Sequence, residues 1–252
     1  MSAAAMLPQL YLLAAVFARI GALVMALPGF ADSAVPVRVR LMITLGLSAA
    51  IAGLVQKHIT LPMGEIALAL LVVGEMLIGL AIGMIIRILF TAITVAGSIA
   101  SLQTGLTAAM APDPSMGGQV PILARLLTLA ATTACLAAGL HHWWIAAMVD
   151  SYRLFPPGTL PPAGDFAQLL VAVTGRALAL GLSLAAPLVI FGLLFNLALG
   201  LAGRLAPTIQ IFFIAQPLTL LFGLALMGVI RGAMILAFAE AMEAFVRGGW
   251  AL

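Results

Sequence analysis

Three ionisable side chains, Arg19, Glu75 and Arg87, lie inside long apolar runs of this sequence. A charge in such a place is costly unless it faces protein or water. Together the three could form the proton relay of a transporter. Glu75 and Arg87 are twelve residues apart, about 120° around a straight helix, so they would not pair with each other. We expect these groups to pair with neighbouring helices or subunits and to fix their register, with the relay as the alternative.

The segment HHWW, residues 141–144, is the other set of side chains that could do chemistry. Adjacent histidines point to different faces of a helix, and no carboxylate stands three or four residues from either to complete a metal site. The two tryptophans beside them are typical of an aromatic anchor at the end of a membrane span. Ser101, Ser115 and Ser183 lack the sequence context of a catalytic nucleophile. We therefore expect no enzyme, no metal site and no cofactor.

Composition places these residues in a membrane protein. The chain has 252 residues, of which 64% are hydrophobic and only 8% charged, against about 25% charged in soluble domains. The net charge of +3 comes from scattered basic residues, which form no cluster for nucleic acid. Cys135 has no second cysteine to pair with, and we expect it to act as a small buried hydrophobe. The N-terminal segment lacks a basic leader and carries Arg19, so it predicts a retained first helix.

Hydrophobic stretches of spanning length recur along the chain and predict its helices. They cover residues 9–31, 39–56, 66–111, 122–149, 168–203 and 208–246. The third is long enough for two helices with a bend near Gly97. Uninterrupted runs of Leu, Ala, Ile and Gly argue against β structure. The predicted fold class is all-α, a polytopic helical membrane protein with long kinked helices.

Two breaks in the hydrophobic pattern predict helix ends. Asp165 is a candidate N-cap and Gln168 completes a capping box, so a helix should begin near Phe166. The segment GLAGRLAP, residues 200–207, should end this helix and begin the next, with Arg204 where a helix C-terminus favours a cation. The sequence therefore predicts a helical hairpin at the C-terminal end.

The two helices of this hairpin are too long for simple membrane spans. The stretch 168–203 alone would be about 50 Å long, against about 30 Å of hydrocarbon in a bilayer. Either Pro187 and Pro217 bend the helices, or the helices project from the lipid into other protein. Basic residues fall on both candidate sides, so the charges do not fix the orientation.

The central segment GLTAAMAPDPSMGGQVPILARL, residues 105–126, interrupts the apolar chain with three prolines and two adjacent glycines. Lipid cannot satisfy the N–H and C=O groups of non-helical backbone. Such a segment at membrane depth must therefore lie inside protein or around a watery cavity. An ordinary exposed connection between helices would explain the same residues. On the residues alone both interpretations stay open.

Several blocks of the sequence resemble a known family. Among them are ALPGFADSAVPVRVRLMITLGLS, GSIASLQTGLTAAMAPDPS and NLALGLAGRLAPTIQIFFIAQPLTLLFGLALM. They are similar, in the same order and over nearly the whole chain, to blocks of the FliR family of type III secretion export gates. The segment QPLTL, residues 216–220, looks more like the flagellar branch than the injectisome branch.

The resemblance implies a non-enzymatic channel subunit of the bacterial inner membrane and the flagellar basal body. Members of this family assemble with FliP and FliQ into a conical helical complex beneath the rod, and unfolded flagellar substrates pass through its centre. FlhA-like and FlhB-like export components are further implied partners. Residues 1–165 would be a FliP-like part and residues 166–252 a FliQ-like helical hairpin. A self-contained proton-coupled secondary transporter is the alternative function.

The resemblance also implies that the central loop, residues 105–121, folds into the pore and helps to close it. The candidate pore-loop residues are Gly105, Met110, Pro112, Asp113, Pro114, Met116, Gly117, Gly118 and Pro121. The arrangement of Pro and Gly over residues 112–119 departs from the usual family pattern. We expect a second group of residues to make intramembrane or inter-subunit polar contacts. They are Arg19, Glu75, Arg87, Asn196 and Arg204.

Overall fold

The structure is a computed structural model that describes residues 3–32, 35–56, 64–113, 118–159, 163–205 and 211–248. Seven α-helices and two short strands follow one another along these residues. The helices are α1 (Ala3–Ala26), α2 (Val37–Val55), α3 (Glu65–Gln103), α4 (Ile122–Ala137), α5 (Leu140–Leu154), α6 (Ala163–Leu205) and α7 (Ile211–Arg247). The strands are β1 (Met110–Asp113) and β2 (Gly118–Pro121).

Five of the described helices are long and apolar enough to cross a bilayer, namely α1, α2, α3, α6 and α7. A sixth candidate is the bent pair of α4 and α5. Each of these helices follows one of the long apolar stretches of the sequence, because a helix satisfies its own backbone groups and presents only side chains to lipid. The predicted all-α polytopic membrane fold is confirmed.

The stretch 122–149, predicted as one span, forms two helices that meet at Gly139. This residue has a φ of +77° and precedes the first turn of α5. Glycine adopts that left-handed conformation without the steric cost that a Cβ imposes. A helix cannot continue through it, so the chain bends between α4 and α5.

The two tryptophans of HHWW have different surroundings in α5. Trp143 is 40% exposed, and the guanidinium carbon of Arg247 lies 4.7 Å from its ring centre. Trp144 is only 1% exposed. The prediction of an aromatic membrane anchor is therefore wrong for Trp144, because its indole is enclosed by protein.

The predicted division of α3 near Gly97 is also wrong. Helix α3 runs for 39 residues without interruption, about 58 Å at 1.5 Å per residue. Gly97 has a packing role instead, since the position that a Cβ would occupy is taken by the backbone of Ala124 in α4. Helices α6 and α7 are similarly long, 43 and 37 residues, and continue through Pro187 and Pro217.

The ends of α6 only partly match their prediction. The helix begins at Ala163, three residues before Phe166, so Asp165 lies in the first turn and is not the N-cap. A carboxylate in the first turn is still favoured by the partial positive charge at a helix N-terminus. The helix ends at Leu205 with Arg204 in its last turn, as predicted. Residues 206–210, which include Pro207, lie outside the described residues.

The chain divides into two compact units. The first consists of Met1–Ile88, Gly139–Val173 and Phe245–Leu252. Its core contains large side chains of α1, α3 and α5, among them Leu23, Ile78, Trp144 and Met148. In the same unit Gly79 faces the backbone carbonyl of Arg19, and Gly83 faces the backbone of Leu23 and the side chain of Ala26. Gly79 and Gly83 therefore let α1 and α3 approach closely.

The second unit consists of Leu89–Ala138 and Thr174–Ala244. Cys135 is fully buried in it, as predicted. The rings of Phe90 on α3 and Phe238 on α7 pack edge to face, with centroids 5.1 Å apart. Gly181 on α6 lies against Ala92 and Val95 on α3. Close packing of helices against this part of α3 positions the loop that follows it.

The contact of Gly97 with Ala124 leads to the first prediction. Gly97→Ala should lower the melting temperature of the purified chain in detergent. Gly200→Ala should raise it. Both changes gain about 1 kcal/mol of helix propensity. At Gly200 the added methyl group meets nothing within 4 Å, whereas at Gly97 it meets backbone, and forcing atoms into a filled contact costs about 1–3 kcal/mol. Equal shifts for the two variants would contradict this contact.

Candidate functional site

The candidate pore loop begins where α3 ends, and the end of α3 has a defined geometry. Gly105 has a φ of +77°. The N–H of Leu106 donates to the carbonyl of Ser101 at 2.8 Å, and the N–H of Gly105 donates to the carbonyl of Leu102 at 3.3 Å. This pair of bonds around a left-handed glycine is a Schellman motif, which satisfies the last carbonyls of a helix. Gly105 therefore fixes the residue at which the loop starts.

The base of the loop is packed against α6 and α7. The side chain of Gln103 occupies the space beside Gly192 of α6 where a Cβ would otherwise lie. Thr104 is fully buried, and a Cβ at Gly223 of α7 would come within 2.8 Å of its methyl carbon. The hydroxyl of Thr104 donates to the carbonyl of Ala100 at 2.9 Å. The first residues of the loop are thus anchored, and sequence reasoning missed these anchoring residues. In the sequence, Gln103 and Thr104 are marked only by being two adjacent polar residues at the end of an apolar run.

The loop itself folds into a two-stranded antiparallel hairpin of β1 and β2. Met110 pairs with Pro121, Ala111 with Val120, Pro112 with Gln119, and Asp113 with Gly118. The N–H of Ile122 donates to the carbonyl of Ala109 at 2.9 Å and extends the ladder by one bond. The argument against β structure holds for the spans but fails here, because prolines that exclude helix leave the backbone extended.

The structure places most of the candidate pore-loop residues on this hairpin. Met110 is 46% exposed. Pro112 and Gly118 are exposed, and Pro121 is half-buried at the start of α4. Val120, which sequence reasoning did not single out, points inward and is 8% exposed. Asp113 ends β1, and its side chain is not described. Pro114, Met116 and Gly117 lie outside the described residues.

A second candidate site, in the first unit, is a buried ion pair between Arg19 of α1 and Glu75 of α3. The Nε of Arg19 donates to Oε2 of Glu75 at 2.7 Å, and Nη2 donates to Oε1 at 2.9 Å. Both side chains are 0% exposed. Two parallel bonds of this kind join a guanidinium to a carboxylate in a fixed orientation.

The remaining donors of Arg19 bind to α5 and to the residue after it. Its Nη1 lies 3.4 Å from the hydroxyl oxygen of Ser151, and its Nη2 donates to the carbonyl of Phe155 at 3.0 Å. The guanidinium carbon is 4.0 Å from the ring centre of Tyr152, a cation–π contact. One arginine therefore ties three helices of the first unit together.

This arrangement suits a structural role better than proton transfer. The guanidinium of Arg19 keeps its proton in proteins and cannot pass one on. Both oxygens of Glu75 are occupied by Arg19. Arg87, the third member of the relay interpretation, is exposed on α3 and takes no part in the cluster.

The other predicted polar residues do not join a site within this chain. Arg87, Asn196 and Arg204 are exposed, and the structure gives them no hydrogen bond or ion pair with the described residues. Their assignment to inter-subunit contacts stays a prediction. Among the described residues, no cluster of three His, Cys, Asp or Glu side chains could hold a metal ion.

Breaking the buried pair should be costly, whereas replacing both partners should not. Glu75→Gln leaves an uncompensated buried charge and should destabilise the chain by about 3–5 kcal/mol. The double change of Arg19→Met and Glu75→Met should recover most of that loss. Asp150→Asn serves as a control, because Asp150 and Arg153 form an exposed pair at 4.0 Å, and such pairs contribute about 0–1 kcal/mol. Thermal unfolding in detergent measures all three. A double variant no more stable than Glu75→Gln would contradict this account.

Comparison with known proteins identifies the family. The model of the family described as bacterial export proteins, family 1, matches residues 10–245. The flagellar biosynthetic protein FliR of Caulobacter vibrioides is 44% identical over 220 residues, which cover 87% of this chain and 88% of the relative. FliR of Escherichia coli is 36% identical over 210 residues, covering 83% and 80%. FliR of Bacillus subtilis is 28% identical over 206 residues, covering 81% and 79%.

These matches extend over most of both chains, and the family model includes the loop and the buried pair described above. The resemblance noted from the sequence blocks is confirmed. The chain belongs to family 1 of the bacterial export proteins, alongside these FliR proteins.

Proposed function

We propose that this chain is a non-enzymatic subunit of the flagellar type III protein export gate. Together with FliP-like and FliQ-like subunits it forms the channel through which unfolded flagellar proteins leave the cell. The observation that carries this proposal is the similarity to proteins named flagellar biosynthetic protein FliR, at 44% and 36% identity over most of both chains. The long apolar helices support a place in a membrane, and the similarity to flagellar proteins supports the bacterial inner membrane and the flagellar basal body as that place.

Within this gate, the hairpin of residues 105–121 helps to close the pore. Three features support that role. The base is anchored by Gln103 and Thr104 against α6 and α7. The chain leaves α3 through a glycine in the left-handed conformation. The strands that follow expose small and flexible side chains, including Met110, whose soft thioether adapts to irregular surfaces. A fixed base followed by exposed strand residues suits an obstruction that an export signal or rod attachment moves aside.

The organisation of the chain supports a composite subunit. Residues 166–252, α6 with α7, would be the FliQ-like hairpin, and residues 1–165 the FliP-like part. Helices of 43 and 37 residues are about twice as long as a bilayer requires. Such lengths suit an assembly in which the helices pack on other subunits beyond the lipid. FlhA-like and FlhB-like components, the rod and the exported proteins are the further partners of this gate.

A self-contained proton-coupled transporter is the competing function. It would use Glu75, Arg19 and Arg87 as a relay. The closed pair of Arg19 and Glu75, with Arg87 outside it, favours the export gate over this alternative.

Removing the hairpin tests the proposed closure. We expect that deletion of residues 110–118 makes the assembled gate leak ions, because the channel loses its obstruction. The measurement is ion conductance of membranes that contain the chain co-expressed with its FliP-like and FliQ-like partners. The control replaces residues 57–63, between α2 and α3, by a Gly/Ser segment of equal length and should stay closed. Unchanged conductance of a correctly assembled deletion complex would remove the pore-closing role. Export of flagellar proteins tests the gate function separately.

A further inference from the structure

An open apolar groove lies between α4 and α7 in the second unit, and we call it the α4–α7 groove. Its volume is about 380 Å³, and its walls include Leu126 and Leu127 of α4 and Leu224 of α7. Leu126 is 56% exposed and Leu224 is 40% exposed. Gly228 also lines the groove, and a methyl group added there would meet nothing within 4 Å. The groove therefore has room for another side chain or helix.

Arg231 of α7 also lines the groove. It is exposed, and the structure gives its guanidinium no hydrogen bond or ion pair with any described residue. No other charged residue occurs in α7 before Glu240, nine residues further on. Arg231 is thus a lone cation beside an apolar groove. Covering the groove with apolar surface would bury this charge, and a buried charge is costly unless it is paired, so an occupant of the groove needs an acidic group.

We infer that the α4–α7 groove receives an apolar helix of a different subunit, and that a carboxylate on this helix pairs with Arg231. The inference deepens the proposed function, because it rests on assembly of the chain into a multi-subunit gate. Gly228 and Gly232 are four residues apart, and both have open space at the position of a Cβ. Small residues at this spacing let a second helix approach closely. A guanidinium binds a carboxylate through two parallel hydrogen bonds.

A second copy of this chain does not fit the groove. Of its eight acidic residues, Glu75 alone lies deep within an apolar helix, and Glu75 is already paired with Arg19. Two copies that pair through parallel α7 helices in the same register would also place Arg231 opposite Arg231, so that like charges meet.

Cross-linking within the assembled gate identifies the occupant. A photoreactive amino acid replaces Leu126 in the full chain, co-expressed with the FliP-like and FliQ-like subunits of the same organism, and mass spectrometry maps the cross-linked peptide. We expect an apolar segment of another subunit with Asp or Glu within one helical turn of the cross-link. Cross-links to lipid alone, to a second copy of this chain, or to a segment without an acid would overturn the inference.

Charge exchange then tests the pair itself. Arg231→Glu should reduce the amount of the cross-linked subunit that copurifies at least tenfold, and exchange of the mapped acid for Arg should restore at least half of it. Normal copurification of Arg231→Glu, or no restoration by the exchange, would overturn the inference.

A steric variant keeps the test valid if Arg231→Glu does not fold. Gly228→Leu fills the groove in a place that no described residue occupies, so it should reduce copurification to a similar degree. The matched control is Gly164→Leu, since Gly164 is exposed at the start of α6 with nothing within 4 Å of its Cβ position. Normal copurification of Gly228→Leu would overturn the inference. Export is measured separately. If the wild-type chain fails to restore swimming to a deletion strain, the proposed function is wrong, but the copurification result still decides the docking of the subunit in the groove.

Discussion

Hydrocarbon offers no hydrogen-bond partner, and this constraint explains the arrangement of the backbone and of the buried ion pair. Helices satisfy their own backbone, so nearly all of the apolar sequence is helical. The one described stretch of paired strands satisfies its backbone internally as well, by a ladder between β1 and β2. Arg19 and Glu75 follow the same rule, since the guanidinium of Arg19 donates the hydrogen bonds that the carboxylate of Glu75 accepts. Arg87 and Arg231 are exceptions among the described residues, and the apolar groove beside Arg231 is what points to another subunit.

Close approach between helices depends on glycine in both units. In the first, Gly79 and Gly83 bring α3 against α1, about one and two turns away from the residue that carries the buried carboxylate. In the second, Gly97 admits α4, while Gly192 and Gly223 admit the end of α3. Because glycine has no side chain, the helix backbones come close together, and the many contacts at short distance stabilise the helix pairs by dispersion forces. The same glycines set the position of the ion pair and of the loop.

Much of the fold was predictable from the sequence, because spanning length and hydropathy are local properties. The six apolar stretches mark the helices, and the cation at Arg204 marks the end of α6. What could not be predicted depends on contacts between distant residues. From the sequence, Gly97 suggests a bend, whereas the structure shows that the backbone of Ala124 lies against it. The spacing on one helix excludes a pair of Glu75 with Arg87, but only the packing of α1 on α3 shows that its partner is Arg19. In the loop, prolines exclude helix but do not reveal the register of a hairpin.

The hydrogen bond from Ile122 to Ala109 has a consequence for how this loop can change over time. It joins the two ends of the hairpin just before α4 begins, so the residues beyond it form a closed appendage on an unaltered scaffold. Lengthening a closed loop costs only a slowly growing entropy term, about 0.6 kcal/mol for each doubling. The tip can thus gain, lose or exchange residues without disturbing the helices. The sequence between the two strands can therefore evolve independently of the helices that carry the hairpin.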